Sequence, residues 1–260
     1  MDKINGSTTL TTGTLAILLL AVMFALMLGS VWNDSAIMDE LAHIPAGFGY
    51  VTQFDYRLNP EHPPLMKALA GVSAWIFARS HLNFSRVGNA PHFPTDTPYW
   101  QDDVNGQWAQ GAKFLYESGN NADQIIFWSR FPLILLTLLF GWTLFDWVKK
   151  RFDASTALTA LFFFAFSPTM LAHGRYVTTD VAAALGFFLG IIGFIEFLAR
   201  PTPRSIMRCG IFLGVALLLK FSTVLLIPIY GILFAAWIWS QPYFFRKQYF
   251  RATSQLLAKT

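Results

Sequence analysis

The chain has 260 residues, of which 54% are hydrophobic, 17% aromatic and only 13% charged, with a formal net charge of +4. Such a composition excludes an ordinary soluble domain and a disordered chain, and predicts an integral membrane protein. Its basic residues are scattered through juxtamembrane loops among aromatic residues, as in membrane-interface belts, so nucleic acid is not expected as a partner and membrane lipids are.

Residues 10–32 carry no charge and match the run of about 20 apolar residues that the hydrocarbon core of a bilayer requires. Only Lys3 precedes this run, and the run is long, which fits a retained first span better than a cleaved signal peptide. Five further apolar stretches follow at 125–148, 155–172, 178–199, 206–219 and 221–240. The last two are separated only by Lys220 and Ser222. As one straight helix they would run roughly 50 Å, well beyond a bilayer, so a turn near Lys220 is expected. Cys209 is the only cysteine, and no intrachain disulfide can form.

With six spans, Lys149-Lys150-Arg151, then Arg200, Arg204 and Arg208, then Arg246, Lys247, Arg251 and Lys259 all fall on one side. Basic residues in short loops stay cytoplasmic, so that side is the inner one. The long segment 33–124 then faces outward, periplasmic in a bacterial inner membrane. It holds ten of the fifteen carboxylates: Asp34, Asp39, Glu40, Asp55, Glu61, Asp96, Asp102, Asp103, Glu117 and Asp123. A loop of this length without structure would be unusual. Residues 64–78 read as a helix opened by Pro64, with Leu65, Met66, Leu69, Val72, Trp75 and Ile76 largely on one side, too short to span and suited to the membrane interface. Residues 90–98 should be irregular and 99–118 a second short helix. The fold class expected is all-α: a polytopic transmembrane helix bundle with short interfacial helices in a long first outer loop, forming one membrane-embedded domain over 1–260.

Chemistry-bearing residues gather at the outer ends of the spans. Asp39 and Glu40 follow the first span; an arbitrary pair of this kind is a solvated surface feature, whereas the functional reading makes one a general base and the other its electrostatic partner. Asp39 and His43 are four apart and share a face on a helical turn, so His43 is a candidate ligand for a divalent metal, although two residues do not make a metal site. Asp180 closes the stretch His173-Gly174-Arg175-Tyr176-Val177-Thr178-Thr179-Asp180 between the third and fourth spans. It could cap the fourth helix, yet His, Arg and Asp crowd a connection that ought to be minimal, and ionisable clusters near the membrane are functional candidates. Lys220, with Arg175, His62 and Lys67, would complete a cationic set suited to a phosphate.

These residues carry a resemblance. The order Asp39-Glu40, His43, then Glu61-His62-Pro63-Pro64-Leu65-x-Lys67 resembles the first-loop signature of the protein O-mannosyltransferases, membrane glycosyltransferases of the C superfamily. Arg175-x-x-x-Thr179-Asp180 is similar to the second acidic motif of that family and of the related aminoarabinose transferases. Gly210-x-x-x-Gly214-x-Ala216-x-x-x-Lys220-Phe221-Ser222 is similar to a further segment of bacterial members. The resemblance implies an inverting transferase that moves a sugar from a dolichyl- or undecaprenyl-phosphate donor to a hydroxyl of a protein or lipid acceptor at the outer face. Asp39 would be the base with Glu40 beside it, Asp180 would position a substrate, and His62, Lys67, Arg175 and Lys220 would surround the donor phosphate. The aminoarabinose branch usually has Lys at the position of His62, which favours the mannosyltransferase branch. Family enzymes carry further spans and commonly a soluble C-terminal domain, so a half-length core implies a fragment, a partner subunit supplying the rest, or an inactive relative. A noncatalytic assembly subunit and a transporter subunit are the competing classes. A transporter predicts ionisable residues midway through spans.

Overall fold

A computed structural model describes residues 5–78, 90–101 and 105–241, and side chains from residue 11 onward. The described residues contain helices and no strand. They cluster into two units, 1–182 and 183–260.

In the first unit, α1 (Asn5–Val31) leads through an irregular link into α2 (Met38–Thr52), and α3 (Pro64–Phe77) follows. The helix α2 is not evident from propensity, because Pro45, Gly47 and Gly49 all lie inside it. Tertiary contacts hold it. A Cβ on Gly47 would come within 1.9 Å of the Lys67 carbonyl oxygen, and one on Gly71 within 2.1 Å of the Gly47 carbonyl oxygen. Bare glycines thus let the α2 and α3 backbones touch, which sets the two halves of the first-loop motif side by side.

Helix α3 begins at Pro64 as expected, since proline fits the first helical turn, but its faces are used differently. Lys67, Ala70, Gly71, Ser73 and Ala74 are buried, while Leu69, Val72, Trp75, Ile76 and Phe77 are exposed. Apart from Met66 and Lys67, the residues packed inward are small, while the large apolar ones from Leu69 to Phe77 point out, as on helices that face lipid. Ser73 donates to the Trp128 carbonyl at 2.6 Å and Phe77 stacks on Trp128 at 4.9 Å, fixing α3 to the head of α6 (Ala122–Arg151).

Residues 90–97 are irregular, as the sequence predicts. In place of one helix over 99–118 there are α4 (Pro98–Gln101), α5 (Gln107–Ala112) and a π-helical turn (Lys113–Glu117), with 102–104 outside the described residues. Phe48, Phe93, Trp100 and Phe114 form an aromatic core beneath them, with ring centroids 4.9–6.0 Å apart. Fully buried Gln110 accepts a hydrogen bond from Thr97 and donates to the Pro94 carbonyl. The outer segment therefore has a core of its own.

Apolar runs account for the rest. Among the described residues four helices are long and apolar enough to cross a membrane: Thr11–Val31, Ala122–Arg151, Asp180–Ala199 and Phe221–Ser240. Two of the six expected spans are shorter than that. The stretch 155–172 divides into α7 (Ala154–Ala165) and α8 (Pro168–His173), because Pro168 cannot donate to the preceding turn and Ser167 caps the new helix through Met170. The other, α10 (Pro203–Leu219), has 17 residues, about 25 Å at 1.5 Å each.

In the second unit, α9 (Asp180–Ala199, from Ala183 onward), α10 and α11 (Leu226–Ser240) pack through small residues. A Cβ on Gly186 would meet Ala216 at 3.1 Å, one on Gly193 would meet Phe212 at 2.7 Å, and one on Gly190 would meet Leu226 at 2.6 Å. Tyr230 stacks on Phe194 at 4.1 Å and donates to the Gly190 carbonyl. Partners on α10 descend in number along α9 while those on α11 ascend, so the chain reverses between them. The expected turn lies at Lys220, whose backbone is extended and followed by a 3-10 turn, Phe221–Leu225.

Candidate functional site

The candidate site is built on a buried ionic network. Glu40 is fully buried at the start of α2, where its carboxylate accepts the Ile37 N–H at 3.1 Å and closes the first turn. The same carboxylate receives two bonds from Arg130 of α6, Nε at 2.8 Å and Nη2 at 2.6 Å, and a third from the Val177 N–H at 2.9 Å. Arg130, also fully buried, extends to Asp34 and to the Ser35 carbonyl. Asp34 in turn is bonded by Arg175, which also donates to the Ser30 carbonyl and to the Tyr176 hydroxyl, and both guanidinium groups stack on the Tyr176 ring. Two carboxylates face two guanidinium groups, so the network is neutral and its charges are mutually satisfied. Arg130 went unsingled in the sequence. Its signal was present, as a lone charge eight residues inside an apolar helix.

That network clamps the connection between α8 and α9 onto α2. Val177 gives its N–H to Glu40 and its carbonyl takes a hydrogen bond from His43 Nδ1 at 2.7 Å. One residue is held from both sides by two side chains a helical turn apart. Asp39 precedes Glu40 and faces the opposite way: it is exposed and accepts no hydrogen bond from any described residue. Asp180, three residues after Val177, is also exposed, at the first position of α9, where a carboxylate suits the helix dipole. The clamp thus brings the turn bearing Asp39 and the connection bearing Asp180 together. Glu40 has Arg130 as its electrostatic partner, so its place in the site is beneath the surface that Asp39 shares with solvent.

Beside Asp39 stand two histidines. His43 is buried and meets half-buried His62 edge to face, with ring centroids 5.2 Å apart. Burial holds His43 below the usual histidine range, and His62 and Lys67 add to this while the Val177 bond and Asp39 oppose it. Burial alone would raise the Glu61 carboxyl, but a hydrogen bond from Gln107 and the nearby His62 and Lys67 hold it below its ordinary value. Lys67 is fully buried, pushed down to about 8 by burial with Glu61 opposing, and donates to three oxygens of the 59–62 loop. Among the described residues no three His, Cys, Asp or Glu side chains cluster as a metal ion would need, and the Nδ1 bond to Val177 leaves His43 Nε2 as its remaining ring nitrogen.

Of the expected phosphate group, Arg175 and His62 lie in this site. Three of the Arg175 donors are engaged by Ser30, Asp34 and Tyr176; a guanidinium has five, so its fork is held in place with donors left over. Lys220 belongs to the second unit, half-buried at the end of α10.

Residues 119–256, more than half of the chain, match the family described as dolichyl-phosphate-mannose-protein mannosyltransferase. The matched stretch takes in Arg130, Arg175, Asp180 and Lys220 and begins after the first-loop motif. No curated protein and no solved structure matches the chain. Helices long and apolar enough to span a membrane and this match agree: the chain belongs to the dolichyl-phosphate-mannose-protein mannosyltransferase family, a family of integral membrane glycosyltransferases.

Proposed function

We propose that the chain forms an inverting mannosyltransferase site, working at the periplasmic face of a bacterial inner membrane on a dolichyl- or undecaprenyl-phosphate-linked sugar. The acceptor hydroxyl, on a protein or lipid, gives its proton to the Asp39 carboxylate. Its oxygen then bonds to the anomeric carbon while the bond from that carbon to the phosphate oxygen breaks, and the polyprenyl phosphate leaves with the electron pair. Asp180 orients a substrate from the facing side. Spare donors of Arg175, together with His62, offset the charge that grows on the departing phosphate, usually a large catalytic contribution. A partner subunit supplying further spans is compatible with this chemistry.

The observation that carries the reading is the clamp on Val177 by Glu40 and His43, which holds two exposed carboxylates on adjoining elements above a neutral, buried base. Asp39→Asn keeps the shape and removes the basicity. With purified protein and radiolabelled dolichyl-phosphate mannose, turnover should fall by roughly two to four orders of magnitude, the usual contribution of a general base, while donor binding and thermal stability stay near those of the unsubstituted protein. Wild-type turnover in Asp39→Asn would remove Asp39 as the base and leave Asp180 the next candidate.

A further inference from the structure

The 58–62 loop is gripped from within by two side chains. The Tyr50 hydroxyl donates to the Leu58 carbonyl at 2.6 Å. Lys67 Nζ donates to the Asn59 carbonyl at 2.5 Å, to Asn59 Oδ1 at 2.9 Å and to the His62 carbonyl at 2.8 Å, and sits 5.1 Å from the centre of the Tyr50 ring. Asn59 adopts a left-handed backbone, φ 53°, which asparagine tolerates better than most residues other than glycine. It also passes a hydrogen bond to Glu61 at 2.9 Å. An ammonium has three N–H groups, and all three are spent on this loop. Nothing remains to offer a phosphate. What the lysine does hold is the backbone of His62, whose ring lies against His43 in the candidate site.

We propose that Lys67 is a positioning residue, which acts on the donor through His62 by fixing the 59–62 loop and does not itself touch the phosphate. This rests on the reading of His62 as a donor-phosphate group. If it holds, removing Lys67 matters only while His62 is present.

The test is a double-mutant cycle on the full chain in detergent, read as the Kd for dolichyl phosphate, with dolichol as the uncharged control. His62→Gln should weaken dolichyl phosphate roughly tenfold, in keeping with one charge-assisted hydrogen bond. Lys67→Met should weaken it three- to tenfold alone but by less than about twofold on top of His62→Gln, the signature of coupled neighbours. Asn59→Gly, which keeps the left-handed backbone and deletes one acceptor, should reproduce the pattern at smaller size if Lys67→Met folds poorly. Multiplying effects would make Lys67 an independent phosphate contact, and equal losses for dolichol would make it merely structural; either overturns the proposal. Hydrogen exchange provides an arm that needs no ligand: Lys67→Met should speed exchange at 58–62 and leave 107–112 unchanged. Unaltered exchange at 58–62 refutes the loop-holding role. Failure of the unsubstituted protein to bind dolichyl phosphate, with exchange still faster in Lys67→Met, would instead sink the donor reading of the site while leaving the loop-holding role standing.

Discussion

Around α2 the contacts that fix the backbone are polar and buried: Glu40 with Arg130, His43 with Val177, Lys67 with the 59–62 loop. In the second unit the fixing contacts are close apolar ones at Gly186, Gly190 and Gly193, and its ion pair, Arg208 with Glu196, is largely exposed. Both regions are helical, yet they solve different problems. Helices that pack along their length need only small residues at the crossings. The outer region has to pin two irregular connections against a helix, and directional hydrogen bonds do that where non-directional packing would leave several registers. A neutral buried network also lets Asp39 and Asp180 stay exposed without carrying the structure themselves.

The comparison breaks most visibly at the two arginines. Arg130→Met leaves Glu40 buried without its counter-charge and should cost about 3–5 kcal/mol in thermal or denaturant unfolding, the usual range when one partner of a buried pair is lost. Arg208→Met removes an exposed pair and should cost about 0–1 kcal/mol. Similar losses for the two would show that the outer network does not carry the fold. Adding Glu40→Gln to Arg130→Met should recover part of the loss, because the uncompensated charge is then gone.

Glycine substitutions sharpen the contrast at a smaller scale. Gly47→Ala would drive a methyl into the Lys67 carbonyl at 1.9 Å, and backbone cannot step aside, so destabilisation near about 3 kcal/mol is expected. Gly190→Ala meets the end of the Leu226 side chain at 2.6 Å and the Tyr230 hydroxyl at 3.0 Å, both side-chain ends that can shift, and about 1 kcal/mol is expected. Thermal midpoints of the two variants, measured side by side, check the order. A reversed order would mean that the α2 and α3 backbones are not in contact.

The smallest effect is one of pH. His43 titrates below 6.5 in the folded protein because burial disfavours its cation, so the unfolded chain binds more protons once pH falls below that value. Stability should therefore be greatest above pH 6.5 and decline as pH drops through 6.5 toward the folded value. His62, Lys67 and Asp39 surround the ring, and the first two deepen the effect. His43→Gln should flatten the slope of thermal midpoint against pH between 7 and 5. An unchanged slope would remove His43 as the source of the acid sensitivity in this window, since Glu61, whose carboxyl is held below its ordinary 4.5, loses its stabilising contribution only at lower pH.

Some of this could be read along the chain and some could not. The first span, the helix opened by Pro64, the irregular 90–97 stretch and the turn at Lys220 were legible, because each depends on neighbours within a few residues. The division at Pro168 was signalled by Ser167-Pro168 and lost under a run of phenylalanines. Helix α2 was hidden, since Pro45, Gly47 and Gly49 lower its local preference and only contact with α3 and α5 makes it stable. The role of Lys67 was obscured for a different reason: a lysine beside a histidine and a glutamate looks the same in sequence whether its ammonium faces a ligand or three backbone and amide oxygens.

By itself the sequence determined that this is a membrane-embedded helical protein with most of its carboxylates in one long segment, 33–124. Hydropathy and charge act through the solvent, and every residue meets the solvent question alone. Which carboxylate stays exposed and which is buried was decided only in the tertiary structure. Asp39 and Glu40 are neighbours of the same chemistry, and Arg130, ninety residues further along, is what separates them.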